Sequence, residues 1–160
     1  MEQPNKPIKR SAELAPLSRD HHEGLLLGWK LRQGMKRGVE AARMAPFVKW
    51  FWQVHLVPHF GKEETFLPPV LPASHPLMQQ MLAEHIDIQQ KVERISDSST
   101  YDDFEALAET VNQHIRFEER VLFNEVEKEA TPEQLQQLSQ QLADDKVDEV
   151  WEDVFWSGKK

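Results

Sequence analysis

The sequence predicts an all-α protein, an antiparallel up-and-down four-helix bundle with an additional C-terminal helix. Apolar residues recur at steps of three and four along four long segments, which is the spacing of a helix that buries one face. Short connections between these segments favour antiparallel neighbours. Strand signals are scarce, since β-branched runs are few and neither Asn-Gly nor Asp-Gly occurs. A chain of 160 residues suits one domain with its own core.

The sequence predicts an N-terminal tail followed by the first helix. Residues 1–13 contain two prolines and mixed charges, so we expect a flexible tail there and the four-helix bundle at residues 14–130. The first helix is expected from about Leu17 to about Ala42, with glycines weakening its far end.

The second helix contains two informative prolines. Pro46 is expected in its first turn, and the helix should end at Phe66 or Leu67, just before a proline-rich segment. Pro58 lies inside this helix. Because proline lacks the backbone N–H, we expect a kink just before His59.

The third and fourth helices have clear starts. The third is expected to begin around Pro76 and to reach about Ile95, and a serine-rich connection follows it. The fourth is expected to be capped by Thr100 or Asp102 and to reach about Glu129.

A C-terminal helical extension is predicted over residues 131–160, packed on the bundle. Thr131 opens a capping box and a fifth, shorter helix. The segment after it is expected to form one or two further turns that pack Trp151 and Trp156.

Charge and composition narrow the class of protein. The net charge is −8, which argues against a nucleic-acid or anionic-membrane partner. There is no cysteine, so a disulfide framework, a thiolate metal site and a cysteine nucleophile are excluded. No apolar run resembles a signal peptide or approaches the length that spans a bilayer, so we expect a cytoplasmic location.

Histidine interrupts the apolar stripe of every bundle helix. The pattern H-x-x-x-E-E occurs twice, in the second and the fourth helix. The first and third helices have one stripe histidine each, directly preceded by an acid. The predicted stripes are Leu14, Leu17, His21, Gly24, Gly28 and Leu31; Val48, Trp52, His55, His59, Glu63 and Phe66; Met78, Met81, His85, Ile88, Val92 and Ile95; and Phe104, Leu107, Val111, His114, Glu118, Val121 and Glu125.

These buried polar residues predict a metal site. A buried carboxylate without a partner costs several kcal/mol or stays protonated, whereas a bound dication offsets that cost. Histidine with carboxylate suits iron, manganese or zinc, and two carboxylates suit a pair of ions, because each can bridge. The candidate ligands are His21, His59, Glu63, His85, His114 and Glu118.

Some assignments stay open. His22 competes with His21, although His21 places glycines on the same stripe. His55 lies one turn before His59 and is either a further ligand or a residue of the surrounding shell or channel. The second glutamate of each pair, Glu64 or Glu119, points about 140° away from its histidine by helical geometry and is expected to face solvent.

The order H…HxxxE…H…HxxxE, carried by "RDHH", "HFGKEETFLP", "AEH" and "HIRFEERVLF", resembles the hemerythrin-like (HHE cation-binding) family over about residues 14–128. The resemblance implies a four-helix bundle with two iron ions in an oxo- or hydroxo-bridged centre, with the four stripe histidines as terminal ligands and the two glutamates as bridges. Manganese or zinc is the alternative metal. Oxygen-carrying members have a further third-helix histidine where Gln89 stands here, and end with H-x-x-x-x-D. This departure leaves a metal position open.

Three functions follow from the resemblance and the site. The first is a di-iron protein that binds or reacts with O2, NO or peroxide, or serves in iron handling or sensing. The second is a di-iron redox enzyme that activates oxygen for a substrate. The third is a helical interaction module with a structural metal site. The expected partner is a small diatomic ligand or peroxide.

Overall fold

In the computed structural model, which describes residues 10–142 and 149–158, five helices and no strand are present. The first four form the bundle, and the fifth is the additional C-terminal helix. The helices are α1 (Ala15–Lys36), α2 (Ala41–Phe51, a π-helical turn over Trp52–Leu56, then Val57–Phe66), α3 (Pro76–Arg94), α4 (Tyr101–Phe117, a π-helical turn over Glu118–Leu122, then Phe123–Glu129) and α5 (Pro132–Gln141). The predicted fold class is confirmed, and most of the predicted tail lies outside the described residues.

The turn between α1 and α2 comes earlier than predicted. Gly38 has a φ of 74°, a conformation that favours glycine, and α1 therefore ends at Lys36 rather than near Ala42. The next helix begins at Ala41, so that Pro46 lies inside it and not in its first turn. Both predicted boundaries were wrong because the positive φ of a single glycine decided where the chain reverses.

A widened turn precedes His59 in α2. The Val57 N–H donates to the Trp52 carbonyl, five residues back, just before Pro58, which has no N–H to donate. The extra residue shifts the face of the helix that turns inward. Trp52, His55 and Phe66 of the predicted stripe are therefore only partly buried, and the buried residues on this stretch are Phe51, Leu56, His59, Phe60, Glu63 and Leu67.

A second widened turn begins at Glu118 in α4. The Phe123 N–H donates to the Glu118 carbonyl, and the buried face again moves by one residue. Leu122 and Val126 are fully buried, whereas Val121 is 45% exposed. The predicted stripe was therefore correct up to Glu118 and wrong beyond it.

The remaining helix starts agree with their capping signals. The Thr100 hydroxyl accepts from the Asp103 N–H and the Asp103 side chain accepts from the Thr100 N–H, which decides between the two predicted caps. Thr131 and Gln134 form the same reciprocal pair at the start of α5. The third helix begins at Pro76, and its whole predicted stripe is buried.

The described C-terminal segment packs on the bundle without forming a helix. Phe155 is buried, and the rings of Trp151 and Trp156 lie 5.9 and 5.5 Å from that of Phe47. Residues 149–154 have no regular structure, so the predicted helical turns are wrong for the part that is described, whereas the predicted packing of both tryptophans is present.

Two apolar clusters fill the bundle, one at each end. Along α1, for example, Leu14 and Leu17 belong to one cluster and Leu27 and Leu31 to the other. His21 lies between these pairs. A layer of buried polar side chains therefore separates the two halves of the core.

Candidate metal centre

The polar layer consists of six side chains contributed by all four bundle helices. None is more than 5% exposed, and the two glutamates are fully buried. These side chains lie at one level of the bundle, between the two apolar clusters. In α2 and α4 the histidine and the glutamate are four residues apart, which places them on the same face of the helix. The six residues are His21, His59, Glu63, His85, His114 and Glu118.

These six residues form two overlapping groups of potential ligands. One contains His21 and His59, the other His85 and His114, and both contain Glu63 and Glu118. In each group, four donor atoms lie within 4.8 Å of one another. The structure therefore brings together all six residues that the sequence proposed as ligands, in an arrangement in which two carboxylates are shared between two groups of imidazoles.

Glu118 is the most central of the six. Its carboxylate oxygens lie 2.7 Å from Nε2 of His21 and 3.1 Å from Nε2 of His114. They also lie 3.8 Å from Nε2 of His59 and 3.6 Å from Nε2 of His85. One carboxylate thus faces all four imidazoles.

Glu63 faces only two imidazoles. Its Oε1 lies 3.1 Å from Nε2 of His85 and 3.4 Å from Nε2 of His59. The two shared carboxylates are therefore not equivalent.

Four buried atoms of the layer lack a hydrogen-bond partner and fit a metal ion. They are Nε2 of His59, Nε2 of His114, Oε2 of Glu63 and Oε2 of Glu118. Nε2 of His114 lies 3.1 Å from Oε2 of Glu118, but the two atoms do not have the geometry of a hydrogen bond. Such groups cost roughly 1–3 kcal/mol each, and more when charged. All four belong to the shared layer, and imidazole nitrogen with carboxylate oxygen is a donor set for iron, manganese or zinc. The residues present therefore fit a bound dication, and their overlapping arrangement suits two.

A second set of carboxylates surrounds the layer. Each cluster histidine donates from Nδ1 to an acid outside the layer, at 2.7–3.0 Å. An acceptor at Nδ1 holds the ring's orientation and leaves Nε2 facing the centre. The pairs are His21 with Glu119, His59 with Asp20, His85 with Glu64 and His114 with Glu84.

These outer carboxylates connect the four helices in a closed cycle. The acid before each single histidine reaches the next helix, from α1 to α2 and from α3 to α4. The second glutamate of each pair also reaches the next helix, from α2 to α3 and from α4 back to α1. Every bundle helix therefore supplies one outer acid and receives one.

The expectation that both second glutamates face solvent is confirmed for Glu64, which is exposed, and was wrong for Glu119. Glu119 is mostly buried and also interacts with Ser18 and Arg10. Glu64 is 44% exposed, yet its Oε2 lies 2.7 Å from Nδ1 of His85. A glutamate side chain is long enough for its carboxylate to reach the neighbouring helix from a position whose Cβ points away from the layer. Two sequence features could have indicated these outer carboxylates: the second glutamate of each Glu-Glu pair, and the acid directly before His21 and His85.

The charges of the layer shift its pKa values in the metal-free protein. Burial lowers the pKa of His114, but Glu118 and Glu84 outweigh it and raise that pKa to about 10. For His85 burial is likewise outweighed by Glu118 and Glu63, and its pKa rises to about 9. Burial raises the pKa of Glu118, but the imidazoles hold it well below its usual range. Without metal, the layer therefore contains imidazolium and carboxylate ions.

The alternative ligands lie outside both groups. His22 is exposed on α1. The ring of His55 lies tilted against that of Phe51 at 4.8 Å and meets the Trp50 ring edge-on at 5.3 Å. Gln89, which stands where oxygen-carrying members have a further histidine, is exposed, and its amide donates to Glu93. It therefore supplies no ligand in place of that histidine.

Replacing Glu84 by alanine is expected to weaken metal binding about 10- to 100-fold, because His114 loses the acceptor 2.7 Å from its Nδ1. Chelator competition would measure this affinity. Glu84→Gln keeps an acceptor and should recover part of it. Asp87→Ala removes an exposed acid from the same helix and serves as control. Equal losses in the Glu84→Ala and Asp87→Ala variants would contradict a role for the outer carboxylate.

The fold and the layer together define a class of protein, the four-helix bundles whose buried histidines and carboxylates can hold metal ions. Comparison with known families matches residues 13–126 to the hemerythrin HHE cation binding domain, and the chain belongs to this family. Membership implies metal binding, typically of iron. Neither a curated protein nor a solved structure matches the chain significantly. Within the described residues, no helix combines the length and apolarity that crossing a membrane requires.

Proposed function

We propose that this protein holds two iron ions and binds or reacts with O2, NO or peroxide, or serves in iron handling or sensing. The observation that carries the proposal is the pair of overlapping ligand groups that share Glu63 and Glu118. Two ions account for all four imidazoles and for both shared carboxylates, with manganese or zinc as chemically compatible substitutes.

Iron, when bound, would supply the redox and ligand-binding chemistry, and the chain's own residues would prepare the site. Nε2 of each cluster histidine would hold metal, while its Nδ1–H keeps its proton and donates it in a hydrogen bond to an outer carboxylate. Glu63 and Glu118 would each offer carboxylate oxygens to both ions. Apolar clusters flank the layer on both sides along the bundle, and its six side chains are at most 5% exposed. These features support a small-molecule site better than a purely structural one.

The metal and the small-molecule ligand can be tested together. Protein produced with iron and purified without oxygen should contain two iron ions per chain by elemental analysis. Air or NO should then change its near-ultraviolet and visible absorption. The His59→Ala/Glu118→Ala variant provides the metal-free baseline, with circular dichroism to establish that it folds. Absence of stoichiometric iron from the wild type would contradict the proposal.

An oxygen-activating enzyme is the second candidate, and one observation favours it. A cavity of about 250 Å³ reaches the histidines from the surface. Consumption of oxygen over many turnovers with a reductant and an organic substrate would distinguish this enzyme from a sensor or carrier, which reacts once per site.

A further inference from the structure

The cavity is lined chiefly by residues of α1 and α2, with Ile88 of α3 and three residues of α4 completing it, and it ends at the polar layer. Three of the cluster histidines, His21, His59 and His114, line its inner end. Its walls are mainly apolar, with Phe51, Phe60 and other core side chains around it. The partly buried or exposed Val54, His55, Pro58 and Lys62, all from α2, line it as well.

This cavity is larger than a diatomic ligand requires. A water molecule takes about 30 Å³ of liquid, and a diatomic gas is of similar size. The volume of about 250 Å³ is several times greater. An apolar cavity of about 150 Å³ in another protein holds benzene, whereas sites for drug-sized ligands begin near 300 Å³. The size therefore fits an organic molecule with a single ring.

The polarity of the lining restricts the class further. Two lining side chains, Asp20 and Lys62, carry opposite charges, and Asp20 already accepts from Nδ1 of His59. Apart from the histidines the rest of the lining is apolar, which disfavours a molecule with a net charge, because burying an unpaired charge is costly. His55 is a half-buried member of the lining. Its ring lies tilted against that of Phe51, and among the described residues it takes part in no hydrogen bond that would occupy its nitrogens. A neutral imidazole offers one donor and one acceptor.

We infer that this cavity binds an uncharged, one-ring organic molecule with a single hydroxyl or similar hydrogen-bonding group, of the chemical class of a simple phenol. The ring would lie against the apolar walls, and His55 would hydrogen-bond the polar group. The inference rests on the proposed function, since it places this molecule beside the histidines of the proposed metal pair. His55 is then a residue of the ligand cavity and not a ligand of the metal.

The probes are p-cresol and toluene, which differ by one hydroxyl, titrated calorimetrically into the full-length metal-loaded protein. We expect p-cresol to bind with a Kd of about 1 mM or tighter, in line with its eight heavy atoms. Val54→Phe would fill part of the cavity and should weaken binding of both probes at least about tenfold. Val57→Phe adds the same ring at an exposed position outside the lining and should change neither affinity.

His55→Phe tests the polar contact, because phenylalanine keeps an aromatic ring beside Phe51 but removes both nitrogens. It should weaken p-cresol binding about three- to tenfold and leave toluene binding unchanged. Wild-type protein with stoichiometric iron that binds neither probe would overturn the inference and leave the proposed function standing. Equal p-cresol affinity in wild type and Val54→Phe would also overturn it. Elemental analysis of each protein tests the proposed function separately.

Discussion

Replacing Glu118 by alanine is expected to abolish stoichiometric metal binding, with a loss of affinity well above 100-fold. This carboxylate faces all four cluster imidazoles, and both ligand groups include it. Removing an outer acid that only orients a ligand already costs about 10- to 100-fold, so removing a shared ligand should cost more. Elemental analysis and chelator competition would measure the effect.

The same substitution should also destabilise the metal-free protein. Without Glu118, the buried imidazoles lose the carboxylate that balances their charge. Removing one partner of a buried ion pair costs about 3–5 kcal/mol. For a chain of this length each kcal/mol corresponds to about 2–4 °C, so Tm should fall by roughly 6–20 °C. Thermal denaturation of the metal-free variant would give the value.

Glu118→Gln and Glu63→Gln make the comparison sharper. Both retain the size of the side chain, so folding is at less risk than with alanine. Since Glu118 faces four imidazoles and Glu63 faces two, the Glu118 variant should lose more metal. Glu125→Ala removes a half-buried glutamate of the same helix outside both groups and should retain both ions. Full metal occupancy in Glu118→Ala would refute the central role of this carboxylate.

Much of the site was predictable because periodicity and chemistry pointed to the same residues. In α1 and α3 the helix is regular through the layer, and the stripe that contains His21 or His85 is buried throughout. A histidine on an otherwise apolar stripe must have a partner. The repeated H-x-x-x-E pattern indicated which partners were available in the other two helices.

The register beyond the widened turns was not predictable from spacing. A π-helical turn adds one residue without changing the apolar composition, so that a stripe counted in steps of three and four continues on the wrong face. In α4 the predicted stripe therefore contained Val121, whereas the structure buries Leu122. In α2 the widened turn leaves His55 off the buried face that contains His59. The packing of the neighbouring helices determines where such turns form, because it determines which side chains can be buried.

The outer carboxylates were missed for a different reason. A helical projection records the direction of Cβ, whereas a glutamate carboxylate lies three bonds further out. Glu64 and Glu119 therefore project away from the layer and still reach Nδ1 of a histidine on the adjacent helix. Contacts between helices depend on interhelical distance, which the sequence of one helix does not contain.

Removal of the metal is expected to lower Tm by an amount that increases with pH. In the metal-free protein the pKa values of the cluster histidines are raised, to about 9 for His85 and about 10 for His114. Their contribution to stability is fully present below the unfolded pKa of about 6.5 and is lost as pH rises through these folded values. The lowered pKa of Glu118 acts in the opposite direction and matters only under acidic conditions, below pH 4.5.

Bound metal replaces these protons. Each ion must displace protons from the imidazoles, so its binding weakens as pH falls and strengthens between about pH 6.5 and 9. Each proton displaced changes the binding free energy by about 1.4 kcal/mol per pH unit. The difference in Tm between metal-loaded and metal-free protein should therefore widen by roughly 3–6 °C per pH unit for each displaced proton.

Differential scanning calorimetry with and without chelator, at pH 6.5 and pH 8, would measure this difference. An ion present at 1,000 times its Kd at pH 6.5 stabilises by about 4 kcal/mol there, or roughly 8–16 °C, and the same ion concentration at pH 8 should stabilise more. The Glu118→Ala variant should show no chelator effect at either pH, since its site would be incomplete. A wild-type difference that stays constant or narrows with rising pH would mean that the buried histidines are neutral before metal binds. Proton release, measured calorimetrically in two buffers of different ionisation enthalpy, gives an independent count of the displaced protons.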